Sequence, residues 1–401
     1  MSRNQAVLWS DGAVLTLPTR RMPMRRYAAA VSEHPVAASA VGEVVGHVLE
    51  TLGPRPDLVC CFVSQPHSGQ IEAITAAVRE LLEPRTLLAA TAVAVIGGPQ
   101  EVEERPAIAL WAGNVGLCTP VRLAASPEGE GWDIAGIPDD EDGEPRVLVL
   151  LADPMSVPIE GVVDALGERY PTVTVVGGLA SAGTLPRGNR LVLDGDVHRD
   201  GAVGALLPPT AAARAIVSQG CRPVGDPYVV TKSRDNVLLE LAGQPAMARL
   251  EHLVEHATPE ERSLLAGGIH LGFVVDERKE RFQRGDFLVR AVLGAERGTR
   301  GIVVGREVEV GTTVQFHVRD ATTADEDLRL ALAGPPASAA LVFTCTGRGM
   351  RLFGTPDHDA ALVHDAVGRG AVAGMFCAGE IGPVGLRSFV HGYTASVLLF
   401  D

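Results

Sequence analysis

Residues 338–349 read SAALVFTCTGRG, and residues 374–385 read GMFCAGEIGPVG. Each stretch carries part of an apolar run of strand length, and the two runs end at Cys345 and Cys377. Short continuous apolar runs predict strands covered on both faces. The segment between them has helical period, with an apolar stripe of Leu362, Val363, Ala366 and Val367. The stretch therefore predicts a strand–helix–strand unit.

The same order of parts occurs three times, over residues 57–115, 146–207 and 338–400. In the first two units we expect the second strand to lie in VAVIGGPQ (residues 93–100) and in VTVVGGLASAG (residues 173–183). Strands that alternate with helices indicate sheets with helices packed on them. The sequence thus predicts an α/β fold of repeated strand–helix–strand units with helices packed on mixed sheets.

Two further regions have a different pattern. Residues 268–318 contain short apolar or alternating runs separated by glycine, such as IHLGFVV and TTVQFHVRD, which predicts an antiparallel β region in the C-terminal half. Residues 124–145 are acidic and rich in Gly and Pro. We expect this segment to be a surface loop.

Composition excludes several functions. The chain has 401 residues, 46% of them hydrophobic, and a formal net charge of −14. A phosphate backbone would be repelled by this charge, so nucleic acid is not an expected partner, although Arg20, Arg21, Arg25 and Arg26 form a short basic cluster. No apolar run approaches the ~20 residues needed to span a bilayer, and the first thirty residues lack a signal-peptide core. We expect a cytoplasmic protein with no membrane insertion.

Metal and cofactor motifs are missing as well. The six cysteines include no C-x-x-C pair and have no nearby histidine at zinc-ligand spacing. The one candidate histidine pair, His252 and His256, is interpreted with Glu251 and Glu255 as a solvated helix face. The chain has neither a G-x-x-x-x-G-K-[ST] phosphate loop nor a G-x-S-x-G elbow. We therefore expect no metal and no cofactor.

Polar chemistry is concentrated in the two turns of the third unit. The candidate ligand-binding residues are Cys345, Arg348, Gly349, Cys377, Gly379 and Glu380. The planar fork of Arg348 suits a carboxylate, and Glu380 can accept hydrogen bonds from an ammonium group. Backbone N–H groups around Gly349 and Gly379 can add donors. The alternative is an Arg348–Glu380 ion pair that only ties the two turns together.

Two other functions remain open. The first is a thiol-dependent enzyme with Cys345 as nucleophile and His358 or His391 as base. A guanidinium beside a thiol favours the thiolate, so Cys345 is expected to be the most alkylation-prone of the six cysteines. The second is a protein-interaction scaffold that binds no ligand.

Three segments resemble the FIST family of sensory proteins. VTKSRDNVLLELAGQPAM (residues 230–247) is similar to the start of the family's C-terminal half, while FTCTGRG (343–349) and AGMFCAGEIGP (373–383) are similar to its closing signature. FVSQPHSG, VIGG and VVGGLASAG resemble the more variable N-terminal half. The first glycine turn departs from the family pattern, because VIGGPQEVEE lacks a Ser-x-Gly-Glu-like ending.

The resemblance implies an N-terminal extension (residues 1–25), a FIST N-terminal-like domain (26–226) and a FIST C-terminal-like domain (227–401). It also implies small-molecule sensing, with an amino acid or a related polar metabolite as ligand. Relatives are often fused to signalling domains or to an F-box, for which this chain has no room. We therefore expect output through a separate signalling partner protein.

Overall fold

The structure is a computed structural model that describes residues 7–8, 14–15, 26–128, 131–137 and 143–401. The elements up to residue 113 are β1 Val7–Leu8, β2 Val14–Leu15, β3 Tyr27–Ser32, α1 Ala37–Thr51, β4 Leu58–Ser64, a 3-10 helix Gln65–Gln70, α2 Ile71–Leu82, β5 Thr86–Ala92, β6 Val95–Gly97, β7 Gln100–Val102 and β8 Ile108–Gly113. Those of residues 119–219 are β9 Thr119–Glu128, β10 Gly131–Ala135, β11 Arg146–Ala152, α3 Ile159–Arg169, β12 Val173–Leu179, β13 Leu191–Leu193, β14 Asp196–His198, β15 Ala202–Leu206 and β16 Ala213–Gln219.

The C-terminal half begins with a strand-rich region and ends with the third unit. Residues 221–332 form β17 Cys221–Arg234, β18 Val237–Leu241, β19 Gln244–Pro245, α4 Ala246–His256, α5 Pro259–Ala266, β20 Ile269–Val274, a 3-10 helix Arg284–Asp286, β21 Phe287–Ala295, β22 Ile302–Val304, β23 Thr313–Arg319 and α6 Ala321–Leu332. Residues 339–400 form β24 Ala339–Cys345, α7 Met350–Phe353, α8 His358–Ala366, β25 Ala371–Cys377, β26 Glu380–Val384, β27 Arg387–His391 and β28 Thr394–Phe400.

The three strand–helix–strand units are confirmed. In each unit a strand, a crossover helix and a second strand form a parallel pair: β4 with β5, β11 with β12 and β24 with β25. Each first strand also pairs antiparallel with a later strand, namely β8, β15 and β28. The sheets are therefore mixed, as the sequence predicts.

The strand orders of these three sheets are β14-β13-β5-β4-β8-β3, β10-β9-β15-β11-β12-β26-β27 and β16-β28-β24-β25-β6-β7. Their inner faces share one hydrophobic core, in which Phe62 meets Phe343 edge-on at 6.1 Å and Trp111 stacks on Phe400 at 4.8 Å between ring centroids. Helices α1 and α2 cover the outer face of the first sheet, α3 the second and α8 the third. Both faces are buried, which explains why the central strands are apolar without alternation.

The hairpin that follows each parallel pair leaves its own unit. Hairpin β6–β7 follows β5 but pairs with β25 of the third unit. Hairpin β13–β14 follows β12 but pairs with β5, and hairpin β26–β27 follows β25 but pairs with β12. The three units thus exchange hairpins in a closed cycle.

The ends of the three second strands meet where the hairpins cross. Phe376 donates its N–H to the Ala94 carbonyl at 3.0 Å, and Leu179 donates to the Gly379 carbonyl at 2.9 Å. The Ser181 hydroxyl, just after β12, connects the ends of the other two strands. It accepts the N–H of Val93, just after β5, at 2.9 Å and donates to the carbonyl of Phe376 in β25 at 2.5 Å. Backbone groups that the crossing would leave buried and unpaired are satisfied in this way.

The antiparallel region is also confirmed. Its seven strands have the order β17-β23-β20-β21-β22-β18-β19, and α4 and α5 pack on them. No helix in the described parts of the chain combines the length and apolar character needed to cross a membrane.

Two expectations about local structure are wrong. The second strand of the first unit is β5, and VAVIGGPQ instead enters the exchanged hairpin β6–β7. Residues 124–128 and 131–135 form the antiparallel pair of β9 and β10 rather than a loop. Residues 129–130 and 138–142 of the predicted acidic loop lie outside the described residues.

Gly178 lies in β12 where hairpin β26–β27 pairs with it. Strand β12 and the end of β25 can approach closely there only because residue 178 has no side chain: an added Cβ would lie 2.3 Å from Cys377 Sγ and 3.1 Å from Cys377 Cβ. We predict that Gly178→Ala lowers the free energy of unfolding by about 1–3 kcal/mol, the usual cost of overpacking a core. The control is Gly167→Ala in α3, where an added Cβ meets nothing within 4 Å and a gain of roughly 0.5–1 kcal/mol is expected.

Urea titrations of both variants measure this difference. In a Cys377→Ala background, the penalty of Gly178→Ala should shrink because Sγ is gone. An unchanged penalty in that background would contradict the proposed contact.

Candidate functional site

The two polar turns of the third unit lie at the same edge of the sheet. Strands β24 and β25 are parallel and in register, so that Cys345 lies directly beside Cys377. The carboxyl edge of parallel strands is where α/β proteins place their ligand sites. The structure therefore brings the candidate residues of both turns close together.

Arg348 is the most unusual residue of this edge, because its side chain is completely buried. Its guanidinium makes a bidentate pair with Asp359, with Nε–Oδ2 at 2.6 Å and Nη2–Oδ1 at 2.9 Å. Burial alone would raise the pKa of Asp359, but the charge and hydrogen bonds of Arg348 outweigh it and hold that pKa below its usual range. The Arg348–Glu380 ion pair is thus wrong as an alternative, since the partner of Arg348 is Asp359.

Hairpin β6–β7, which comes from the first unit, adds a further carboxyl group, Glu101, next to the Arg348–Asp359 pair. Glu101 Oε1 accepts hydrogen bonds from the N–H groups of Asp359 and Ala360, at 2.8 and 3.0 Å, and so caps the first turn of α8. Burial, reinforced by the charge of Asp359, raises the pKa of Glu101 to about 7.

Gly349 lies at the start of α7, under the same hairpin. It has φ +57°, and a Cβ added there would lie 2.6 Å from Glu103 Oε1. Glu103 itself accepts the Met350 N–H at 3.0 Å. Glycine is therefore required at this position both by backbone conformation and by space.

Glu380 lies at the first position of β26 and is also completely buried. Its Oε2 accepts from the N–H and the hydroxyl of Thr394, at 3.1 and 2.8 Å. Burial raises the pKa of Glu380 to about 8, although Thr394 and Arg348 oppose the shift. The carboxyl group is therefore mainly protonated at neutral pH.

Cys345 lies beside Glu380, and at 8% it has the largest exposed fraction among the six cysteines. Burial, with the nearby Glu380 carboxylate, raises the pKa of Cys345 to about 12. The expected net lowering of this pKa by a neighbouring guanidinium does not result, because burial outweighs it. A reactive thiolate is consequently disfavoured in this closed arrangement.

The two histidines proposed as bases have other partners. His358 lies between Asp359 (Nδ1–Oδ1 3.0 Å) and Asp325 (Nε2–Oδ1 2.9 Å), and stacks on Phe353. His391 Nε2 is hydrogen-bonded to the Gly382 carbonyl at 3.0 Å, and burial lowers the pKa of His391 to about 4.

Cys377 and Gly379 make structural contacts. The Cys377 thiol is fully buried and donates to the Met375 carbonyl at 3.5 Å. The Gly379 carbonyl accepts from Leu179 at the strand crossing. Both residues belong to the short segment that runs from the end of β25 to Glu380 at the start of β26.

Sequence reasoning missed four residues of this site: Glu101, Arg319, Asp359 and Tyr393. The side chain of Arg319 lies over the Tyr393 ring, with 5.4 Å from Cζ to the ring centroid, and its Nη2 donates to the Gly347 carbonyl. Both residues lie near Cys345. Only Asp359 carried a signal, as one of two aspartates at the start of the predicted helix.

Four buried polar atoms of this site have no hydrogen-bond partner among the described residues. They are Glu101 Oε2, Arg319 Nε, Arg348 Nη1 and Glu380 Oε1. A Cβ added to Gly220 would lie 3.2 Å from Arg348 Nη1, so this nitrogen faces the backbone of Gly220. We call Cys345, Arg348 and Glu380 the buried polar cluster; Arg319 and Tyr393 lie beside it and are partly exposed.

The cluster is closed to solvent. Three cavities elsewhere in the described structure, of about 670, 390 and 560 Å³, are lined by other residues. They lie against β3 and β25, between α3 and the antiparallel sheet, and beside α2. In the described part of the chain, no three His, Cys, Asp or Glu side chains are grouped to hold a metal ion.

Sequence comparison identifies the family to which this α/β chain belongs. The FIST N domain model matches residues 57–244 and the FIST C domain model matches residues 246–383. The chain belongs to the FIST family, whose domains generally serve as sensory domains for small-ligand binding in signalling. The division between residues 226 and 227 stays a prediction.

Relatives resemble the chain over nearly its whole length. The uncharacterized protein Rv0628c of Mycobacterium tuberculosis is 41% identical over 383 residues, which are 94% of this chain and 99% of the relative. The uncharacterized protein Mb0898c of Mycobacterium bovis is 38% identical over 382 residues, covering 94% of this chain and 98% of the relative.

We predict that Asp359→Ala lowers the free energy of unfolding by about 3–5 kcal/mol, because it leaves the buried Arg348 charge unpaired. The matched control is Asp365→Ala near the end of the same helix, which removes an exposed pair between Asp365 and Arg369 (3.9 Å) and should change stability by less than about 1 kcal/mol. Chemical denaturation measures both values. Equal effects of the two substitutions would contradict the importance of the buried pair.

Glu101 should make stability depend on pH. Its folded pKa of about 7 lies above the ordinary value of 4.5, so the folded state binds more protons at this site between pH 4.5 and 7. This contribution lowers the free energy of unfolding as pH rises through that window and levels off above it. Glu101→Gln, which still accepts from α8, should reduce the loss between pH 5 and pH 8.

A second variant separates titration from capping. Glu101→Ala should also weaken the pH dependence but lose about 0.5–2 kcal/mol at every pH, because the helix cap is gone. If Glu101→Gln kept the wild-type pH dependence of the free energy of unfolding, a residue other than Glu101 would be the titrating group.

Proposed function

We propose that this protein is a cytoplasmic sensor of an amino acid or a related polar zwitterion, which it binds at the turns after β24 and β25, and that it signals through a partner protein. The observation that carries the proposal is the pair of unmet buried atoms, Arg348 Nη1 and Glu380 Oε1. One is a cationic donor and the other belongs to a carboxyl group. A zwitterion carries a complementary group for each.

Energetics favour such a ligand over an empty site. A buried polar group without a partner costs about 1–3 kcal/mol, and more when it is charged. A ligand carboxylate at Arg348 and a ligand ammonium at Glu380 would remove both costs at once. The Arg348–Asp359 pair supports this role, because it fixes the guanidinium plane and leaves one nitrogen free to bind.

The other candidate residues have supporting roles in this proposal. In the turn at Gly349, the N–H groups of Thr346, Gly347, Arg348 and Met350 already donate within the protein, so only the Gly349 N–H is assigned a donor role towards the ligand. Cys345 lies next to Glu380 and contacts the ligand as a neutral thiol, while Cys377 and Gly379 belong to the segment that leads to Glu380. A thiol-dependent enzyme is less well supported, because the pKa of Cys345 is about 12 and both histidines are engaged elsewhere. No observation favours a ligand-free scaffold.

The test is a thermal-shift screen of the standard amino acids against the whole protein. A ligand at about 100 times its Kd should add about 2.7 kcal/mol of stability. Glu380→Gln retains the acceptor for Thr394 but removes the carboxylate, so it should abolish most of this gain. Glu309→Gln, on the exposed side of the antiparallel region, is the matched control and should respond like the wild type.

Affinity should also depend on pH. Because the pKa of Glu380 is about 8, an ammonium group that binds there at pH 7 displaces a proton. Binding should therefore strengthen as pH rises towards 8 and then level off, and calorimetry in two buffers should detect the released proton. If no zwitterion shifts the unfolding midpoint, or if Glu380→Gln responds like wild type, the proposal is wrong.

A further inference from the structure

Tyr393 covers the buried polar cluster on its solvent side. It lies in the two-residue connection between β27 and β28, next to Gly392. Tyr393 and Gly392 are partly exposed, whereas Arg348 and Glu380 beneath them have no exposed surface. A ligand can therefore reach the cluster only if some covering group moves.

The backbone of Tyr393 is strained. Its φ of +65° lies in the left-handed region, which a bulky aromatic residue rarely adopts. Such conformations cost of the order of 1–3 kcal/mol and persist only when the surroundings hold them. In the neighbouring Gly392, an added Cβ would meet nothing within 4 Å, so the chain has space to move there.

Three contacts hold Tyr393 in place. Its ring meets His270 edge-on at 4.3 Å and lies under Arg319, and its carbonyl accepts the Gly220 N–H at 2.9 Å. His270 and Arg319 belong to β20 and β23 of the antiparallel region, while Gly220 joins β16 to β17. The strained residue is thus fixed by the part of the protein that lies outside the three units.

We infer that Tyr393 is the gate of the buried polar cluster, held closed by Arg319 and His270, and that its displacement opens the path to Cys345, Arg348 and Glu380. This inference deepens the proposed function and rests on it for the identity of the ligand. Opening releases the strain at φ and breaks the ring contacts. Closure over a ligand restores contacts with the antiparallel region, so that ligand occupancy and the position of that region become linked.

The reactivity of Cys345 tests the gate without any ligand. Tyr393→Asn removes the ring, and asparagine tolerates the left-handed conformation. We expect it to raise the rate of Cys345 modification by 5,5′-dithiobis(2-nitrobenzoic acid) at least roughly tenfold. A tenfold increase requires the free energy of opening to fall by only about 1.4 kcal/mol. Tyr393→Phe retains the ring and should react at the wild-type rate.

The matched control is Tyr228→Asn, which removes another tyrosine covered by an arginine, Arg249 at 4.9 Å, in the same antiparallel region. Its Cys345 should react at the wild-type rate. Cys345→Ser assigns the signal, and the fully buried Cys60 and Cys61 of β4 report global unfolding if they react together with Cys345.

A folded Tyr393→Asn protein with wild-type Cys345 reactivity would overturn the gate. If that variant unfolds, Arg319→Gln decides, because it removes the clamp and leaves the tyrosine: a selective rise at Cys345 supports the gate and an unchanged rate overturns it. Since the readout requires no ligand, an open gate with no zwitterion binding would sink only the proposed ligand.

Discussion

The meeting of three strand ends constrains everything else in this fold. Strands β5, β12 and β25 finish at one place, where hydrogen bonds join Ala94 to Phe376 and Leu179 to Gly379. The sheet edge beside each of these strands is occupied by a hairpin from another unit, so each hairpin that follows a parallel pair extends a sheet other than its own. Small residues are needed at the crossing, as Gly178 against Cys377 illustrates. The glycine-rich turns are thus a consequence of interlocking and not, by themselves, evidence of a ligand.

The same exchange explains how charges come to be buried in the third unit. Glu101 reaches the start of α8 only because its hairpin belongs to the first unit and pairs with the third. It replaces the local aspartates as helix cap, which leaves Asp359 free to form its bidentate pair with Arg348. Buried pairs of this kind contribute little net stability, yet they fix geometry. Here the geometry fixed is that of one guanidinium with a nitrogen to spare at the carboxyl edge of the sheet.

Much of this architecture follows from local pattern. Apolar runs and helical stripes predict β24, α8 and β25 correctly, and the three units with them, because burial on both faces is a property of each segment. The hairpin exchange could not be predicted, since VAVIGGPQ has the same composition whether it ends its own sheet or enters another. The sequence likewise offers Glu380 as an alternative ion-pair partner for Arg348, whereas in the structure Arg348 pairs with Asp359. Tyr393 and Arg319 join the site only through tertiary contacts of the antiparallel region, to which a single sequence gives no clue.

A sensor requires that the site be connected to something that can move. The third sheet continues into the antiparallel region at residue 220, between β16 and β17, and the N–H of that glycine is bound by the Tyr393 carbonyl. The Gly220 carbonyl in turn accepts the N–H of Asp320, which lies at the start of α6, at 3.3 Å. The junction of the two parts and the cover of the buried polar cluster therefore share one backbone hydrogen bond. A rearrangement of the Tyr393 backbone must either break that bond or carry Gly220 with it, and in both cases the junction with the antiparallel region changes. Coupling between a ligand and a partner then needs no long pathway, because a ligand that favours one position of Tyr393 changes the junction by its differential affinity for the two positions.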